Sequence, residues 1–236
     1  MNKLQTPLML VLALLLCGMT SVRAAAPAIH ADAATAAIAV APDAKTEVKA
    51  PAVTEAPAAS TLANLQAAYN GESNAKAKYE AFAKKADEEG YAGVATLFRA
   101  AAQAEGVHLA SHAKVIKALK GEPTAVIVAP EVKSTKENLE AAMAGETYEN
   151  KTMYPQFIKL AKKQKHNQAV LSFTRAMKVE AAHAALYNTA LATLEQWKKA
   201  DKVFLVCPVC GYTTDNGTTK KCPICAEPRK KFMEVK

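Results

Sequence analysis

Two patterns of donor side chains stand out in the 236 residues. Glu105-Gly106-Val107-His108 is a Glu-x-x-His within a long helical stretch, and it returns as Glu180-Ala181-Ala182-His183. Residues three apart on an α-helix share a face, one turn apart, so a single cation can touch both members of either pair. The other pattern is Cys207-Pro208-Val209-Cys210 and Cys222-Pro223-Ile224-Cys225, two Cys-x-x-Cys knuckles with 11 residues between them. Paired knuckles are a tetrathiolate metal motif, and a loop-rich tail of about 35 residues needs the metal to fold. Spacing alone leaves structural zinc and a single redox iron both open.

Periodicity locates the helices that must carry the first pattern. On a helical wheel centred on Glu72, Leu65 and Tyr79 fall within about 20° and Leu62 and Phe82 within about 80°, so Glu72 sits in an apolar stripe. A second helix, roughly Tyr91 to Lys120, places Val94, Phe98, His112 and Ile116 within about 20° of Glu105, with His108 at about 60°. The third opens on the capping box Ser134-Thr135-Lys136-Glu137 and carries Leu139, Met143, Glu146, Glu149, Met153 and Phe157 on one face. The fourth, about His166 to Lys199, aligns Phe173, Met177, Glu180, His183, Tyr187, Leu191 and Leu194. Four amphipathic helices with buried stripes predict a four-helix bundle over residues 60–200. Short connections near Gly90 and Lys165 pair the helices as antiparallel neighbours, and Gly121 to Lys133, with Pro123 and Pro130, is the one long crossover.

The bundle is also an internal repeat. Ser60 to Glu72 matches Ser134 to Glu146 at eight of thirteen positions, an offset of 74, whereas Phe98, Glu105 and His108 match Phe173, Glu180 and His183 at an offset of 75. A pseudo-twofold axis should bring the Glu and His side chains together. Two positions break the symmetry: Glu149 stands opposite Ala75, and His112 opposite Tyr187. Five core-facing carboxylates, Glu72, Glu105, Glu146, Glu149 and Glu180, would each cost several kcal/mol as isolated buried ions. Two divalent cations offset them, and oxygen plus imidazole donors suit iron or manganese better than a thiolate-seeking metal. His112 reads as a core histidine or a neighbour of the ligands before it reads as a ligand.

Residues 1–24 read as a secretory signal peptide, with Lys3, an apolar run from Leu8 to Leu16 and small residues at Ala24 to Ala26. Residues 25–59, rich in Ala, Pro, Val and Thr, read as a tether. The expectation is an exported, periplasmic protein with no membrane span once the signal is cleaved. The formal charge of +8 comes from lysines interspersed with Glu and Asp without aromatic residues between them. A solvated surface accounts for that pattern, and no nucleic-acid partner is expected.

Together these residues resemble the rubrerythrin family over about residues 60–236: a ferritin-like di-iron bundle followed, from 201 to 236, by a rubredoxin-like domain. The resemblance implies that Glu105 and Glu180 bridge two irons, with Glu72, Glu146, His108 and His183 as terminal ligands. It implies that Glu149 takes one iron when oxidised and His108 takes it back when reduced. It gives Tyr79 and Tyr154 the role of hydrogen-bonding ligand carboxylates. Gly211-Tyr212 and Phe232 favour a redox iron on Cys207, Cys210, Cys222 and Cys225; Ala226 departs from the family's usual Gly, which predicts a strained turn. The implied activity is a peroxidase that reduces hydrogen peroxide to water in oxidative stress protection. Electrons would pass through the tetrathiolate iron from an unidentified donor, with subunits paired head to tail so that one chain's thiolate site approaches its partner's di-iron site. A ferroxidase and a non-catalytic metal-binding protein, with zinc on the cysteines, are the alternatives.

Overall fold

The computed structural model describes residues 60–236; the expected signal peptide and tether lie outside them. Helices α1 (Thr61–Glu88) and α2 (Ala92–Ala118) form one antiparallel hairpin, turned at Gly90 with φ +79°. The third bundle helix is interrupted: α3 (Thr135–Tyr148) runs through a π-helical turn (Glu149–Met153) into α4 (Tyr154–Lys163), and α5 (Asn167–Ala192) returns beside it. The expected fourth helix to Lys199 is therefore shorter, since the chain tightens into a 3-10 turn at Leu194–Trp197. Both repeats start alike. Ser60 accepts a hydrogen bond from the Ala63 amide, and Ser134 with Glu137 forms the expected reciprocal capping box.

The crossover is an extended strap along α1. Val126 and Val128 donate their amides to Asn70 and Asn74, each at 2.8 Å, with Gln66 one turn earlier accepting from Thr124. Side chains at four-residue spacing on one helix face thus satisfy backbone that no other element pairs.

Two apolar layers flank the carboxylates. One contains Tyr79, Phe82, Phe98 and Tyr187, with neighbouring ring centroids 5.4 to 6.4 Å apart. The other contains Leu65, Ile116, Tyr154 and Phe173. Burying a side chain such as Phe98 contributes about 2–3 kcal/mol. Strands β1 (Phe204–Val206), β2 (Thr213–Thr214) and β3 (Met233–Val235) form an antiparallel sheet in the order β2-β1-β3. Phe204, fully buried, stacks on Trp197 and joins the first apolar layer with Val206 and Val235, so the C-terminal domain and the bundle share a core. This is a ferritin-like four-helix bundle with a rubredoxin-like four-cysteine domain.

Candidate metal centres

Six of the predicted ligands converge. Glu72 on α1, Glu105 and His108 on α2, Glu146 on α3, and Glu180 and His183 on α5 are all at most 2 % exposed. Their donor atoms form two overlapping groups, Glu72-Glu105-His108-Glu180 and Glu105-Glu146-Glu180-His183, each within 4.8 Å. Glu105 and Glu180 belong to both. Glu105 offers Oε2 to His108 Nδ1 at 2.8 Å and Oε1 to His183 Nδ1 at 3.5 Å; Glu180 offers Oε1 and Oε2 to the same nitrogens at 3.0 and 3.1 Å. Each of these carboxylates spans the two halves. Glu72 and Glu146 each face one, at 3.7 Å from His108 and 3.6 Å from His183.

The charge balance favours cations. Burial pushes the Glu72 and Glu149 carboxyls well up and Glu146 up to about 8, and the neighbouring carboxylates add to the push. Glu105 is also pushed up by burial, but His108 and His183 outweigh it and hold this carboxyl at about 2. Both imidazoles, lowered by burial, are raised further by the surrounding carboxylates. Among the described residues no Lys or Arg pairs with these carboxylates. Glu72 Oε2, Glu105 Oε1, both Glu180 oxygens and His183 Nδ1 are buried without a hydrogen-bond partner, a cost of about 1–3 kcal/mol each. Orphaned oxygen and imidazole donors converging on one volume fit a pair of divalent cations.

Further contacts orient the donors. Tyr79 donates to Glu146 at 2.5 Å, and Tyr154 donates to Glu72, so each phenol crosses from one repeat to the other. Both predicted tyrosine roles thus have their contacts. His108 Nε2 meets the Cys210 carbonyl at 3.0 Å and His183 Nε2 meets Thr213 Oγ1 at 3.1 Å. A carbonyl only accepts, and the Thr213 hydroxyl already donates to the Gly211 carbonyl at 2.9 Å. Both imidazoles therefore carry hydrogen on Nε2 and turn Nδ1 to the carboxylates. The C-terminal domain thus reaches the bundle of its own chain.

Glu149 stands apart. It opens the π-helical turn, is partly buried, and belongs to neither donor group. A π-turn holds one residue more than the α-helix around it. The repeat shows where that residue entered, because Glu72 to Glu146 is an offset of 74 and Tyr79 to Tyr154 one of 75. This shift of offset was the sequence signal for the turn. His112 behaves as a satisfied core histidine, bonded to Tyr154 Oη at 3.2 Å and Ser172 Oγ at 2.9 Å. Ser172 and Thr213 carry no signal of their own in the sequence.

The four cysteine sulfurs lie within 4.8 Å of one another and are unbridged, with Cys207–Cys225 and Cys210–Cys222 both 3.5 Å apart. That is too far for a disulfide. It is close to the roughly 3.8 Å edge of a tetrahedron with ~2.3 Å metal–sulfur bonds. The hydrogen bond from the Cys210 side chain, with backbone amides, draws the Cys207 thiol down to about 5, while burial pushes Cys225 up to about 11. Gly211 has φ +83°, and a Cβ there would come within 2.8 Å of His108 Nε2, so only glycine lets this backbone approach the bundle imidazole. Ala226 adopts φ +64°, the predicted strained turn.

The comparisons agree with this geometry. The family model for rubrerythrin matches residues 63–191. Nigerythrin from Nitratidesulfovibrio vulgaris is 41% identical over 174 residues, covering 73% of this chain and 85% of the relative. Rubrerythrin from Porphyromonas gingivalis is 34% identical over 180 residues, covering 75% and 90%. A fully reduced, all-ferrous nigerythrin structure superposes with TM-score 0.71 at 39% identity, over 78% of this chain and 90% of that one. A bacterioferritin from Rhodobacter capsulatus, TM-score 0.53 at 21% identity over 58% and 86%, shares the bundle fold. With the family model spanning more than half of the chain and relatives of 34 and 41% identity covering about three quarters of it, the chain belongs to the rubrerythrin family.

Proposed function

We propose that this protein is a peroxidase that reduces hydrogen peroxide to water, with two irons held by Glu72, Glu105, His108, Glu146, Glu180 and His183 and a third by Cys207, Cys210, Cys222 and Cys225. The reading is carried by one observation: the backbone of the thiolate knuckle, at Cys210, is hydrogen-bonded to His108 of the carboxylate site. Irons held by these residues would supply the two electrons that the reduction of peroxide needs, and the thiolate-held iron a one-electron centre to replenish them. The all-ferrous and mixed-valent states named for nigerythrin support iron in this chemistry.

The chain's own residues do the rest. Glu105 and Glu180, shared by the two donor groups, would hold both cations, and Tyr79 and Tyr154 restrain Glu146 and Glu72. The apolar layers on either side limit water. Glu149, on the π-turn with Glu72 as its strongest charged neighbour, would exchange with His108 as the charge of the site changes. A head-to-tail dimer would make the Cys210–His108 contact between chains instead of within one, and sedimentation of the loaded protein decides its presence. Operation outside the cytoplasm follows from the reading of residues 1–24; among the described residues no helix is long and apolar enough to cross a membrane.

The test is direct. Anaerobically reduced full-length protein should reoxidise at both centres when hydrogen peroxide is added. A reduced carboxylate site indifferent to peroxide ends the proposal. Excess Fe(II) consumed faster than an electron donor would indicate a ferroxidase instead.

A further inference from the structure

Ser111 lines an open groove of about 800 Å³ beside Lys114, Arg175 and Val209. From it a chain of hydrogen bonds runs inward: Ser111 Oγ to Ser172 Oγ at 2.7 Å, Ser172 Oγ to His112 Nδ1 at 2.9 Å, His112 Nε2 to Tyr154 Oη at 3.2 Å, and Tyr154 to Glu72. We propose that Ser111, Ser172, His112 and Tyr154 form a proton path from this groove to the Glu72 side of the two-cation site.

The polarity of the chain is set at its inner end. Tyr154 donates to Glu72, so it must accept from His112 Nε2–H. A neutral His112 then accepts at Nδ1 from Ser172, which accepts from Ser111. Every donor points inward. His112 is fully buried with a hydroxyl at each ring nitrogen, the arrangement of a neutral imidazole that donates at one nitrogen and accepts at the other.

The other half of the bundle has no such path. The repeat positions of Ser111, His112 and Ser172 are Leu186, Tyr187 and Leu97. Leu97 and Tyr187 are buried in the aromatic layer, and the Tyr187 hydroxyl has no hydrogen-bond partner. Three polar residues on one side thus replace three on the other that lead nowhere, and together they make one connected route.

The inference rests on the peroxidase reading, because the reaction H2O2 + 2 e− + 2 H+ → 2 H2O consumes two protons. Groove water gives a proton to Ser111, whose own passes to Ser172. The Ser172 proton moves to His112 Nδ1, the Nε2 proton to Tyr154, and the Tyr154 proton to Glu72, which hands it to the oxygen that leaves as water. No member changes its net charge. The hydroxyls and the imidazole tautomer then reset for the second proton. Ser111, Ser172 and His112 are positioning residues that act through Tyr154.

Two measurements on the full chain test the path. In the zinc-loaded, 15N-histidine-labelled protein, exchange of the His112 ring proton with water should slow on the order of tenfold or more in Ser172→Ala, as expected when a proton-transfer partner is removed. In the reduced iron protein the same variant should be reoxidised by peroxide more slowly, with a larger solvent isotope effect and an unchanged iron content and visible spectrum. Ser172→Thr, which keeps the hydroxyl, should restore both. An unchanged ring-proton exchange rate in Ser172→Ala overturns the path. An unmodified iron protein that ignores peroxide would overturn the peroxidase reading instead, leaving the exchange result to stand.

Discussion

The two halves of the bundle site are mirrored where they hold cations and different where they meet the rest of the protein. Glu72 and Glu146 lie within 0.1 Å of the same distance from their imidazoles, at 3.7 and 3.6 Å. Around them the symmetry stops. The His108 half has Glu149 on a π-turn, the His112 relay and a backbone carbonyl behind the imidazole; the His183 half has Ala75, Tyr187 and a threonine hydroxyl. One inserted residue and a few substitutions therefore suffice to give two similar donor groups unequal surroundings, without moving a shared carboxylate.

The largest effect should come from removing what the halves share. Glu180→Ala is expected to lower metal content at both bundle positions, by more than the ~10–100-fold in affinity lost with an outer partner alone. Glu72→Ala should empty mainly one of them. Metal analysis per chain distinguishes the two, with the tetrathiolate metal as internal reference; equal losses in both variants would contradict the spanning role of Glu180. Next, Glu149→Ala should make the halves alike, so that structures of the oxidised and reduced forms show the same His108 contact. A shift of that contact in the variant would remove Glu149 from the exchange.

Acid should also separate the halves. His112 is held at about 3 in the folded protein against 6.5 as a free side chain, whereas Tyr187 opposite is pushed up, by burial first. A depressed folded value means that the unfolded chain takes up the proton first. His112 therefore favours folding above about pH 6.5, and this contribution is lost as pH falls toward 3, to the extent of a few kcal/mol. Denaturant titrations across that window should be flatter for His112→Gln than for the unmodified protein; identical slopes would show that His112 is already charged. Smaller effects are expected at the docked knuckles. Gly211→Ala should cost about 1–3 kcal/mol through the clash with His108 and the positive φ. Ala226→Gly, which clashes with nothing and relieves its φ, should raise the melting temperature by the equivalent of about 1 kcal/mol. Thermal unfolding of both variants reads the contrast.

Much of this was legible in sequence because ligands and core obey the same period. Glu72, Glu105 and Glu180 could be placed inside because apolar residues stand one and two turns away on the same face, and the four cysteines carry their own spacing. The π-turn was half legible. The shift of offset from 74 to 75 lay in the repeat, but a stripe through Glu146, Glu149, Met153 and Phe157 reads as an uninterrupted helix, since a single extra residue hardly disturbs a broad apolar face. The docking of the C-terminal domain was not legible. It depends on Phe204 finding Trp197 and on a missing Cβ at Gly211, contacts between segments far apart in the chain that no local period encodes. Ser111 and Ser172 were invisible for the same reason, each being an ordinary helix residue until the other helix is beside it.

The overlap of the two donor groups has a consequence for assembly. The α1–α2 hairpin supplies Glu72, Glu105 and His108 to one position and lends Glu105 to the other; the second hairpin supplies Glu146, Glu180 and His183 and lends Glu180 back. Neither hairpin owns a complete set of four, so any cation that binds with full coordination must clasp both. Affinity for metal is then also adhesion between the hairpins, and whatever sequesters iron loosens the bundle along its pseudo-twofold axis. The crossover strap keeps the unclasped halves within reach of each other.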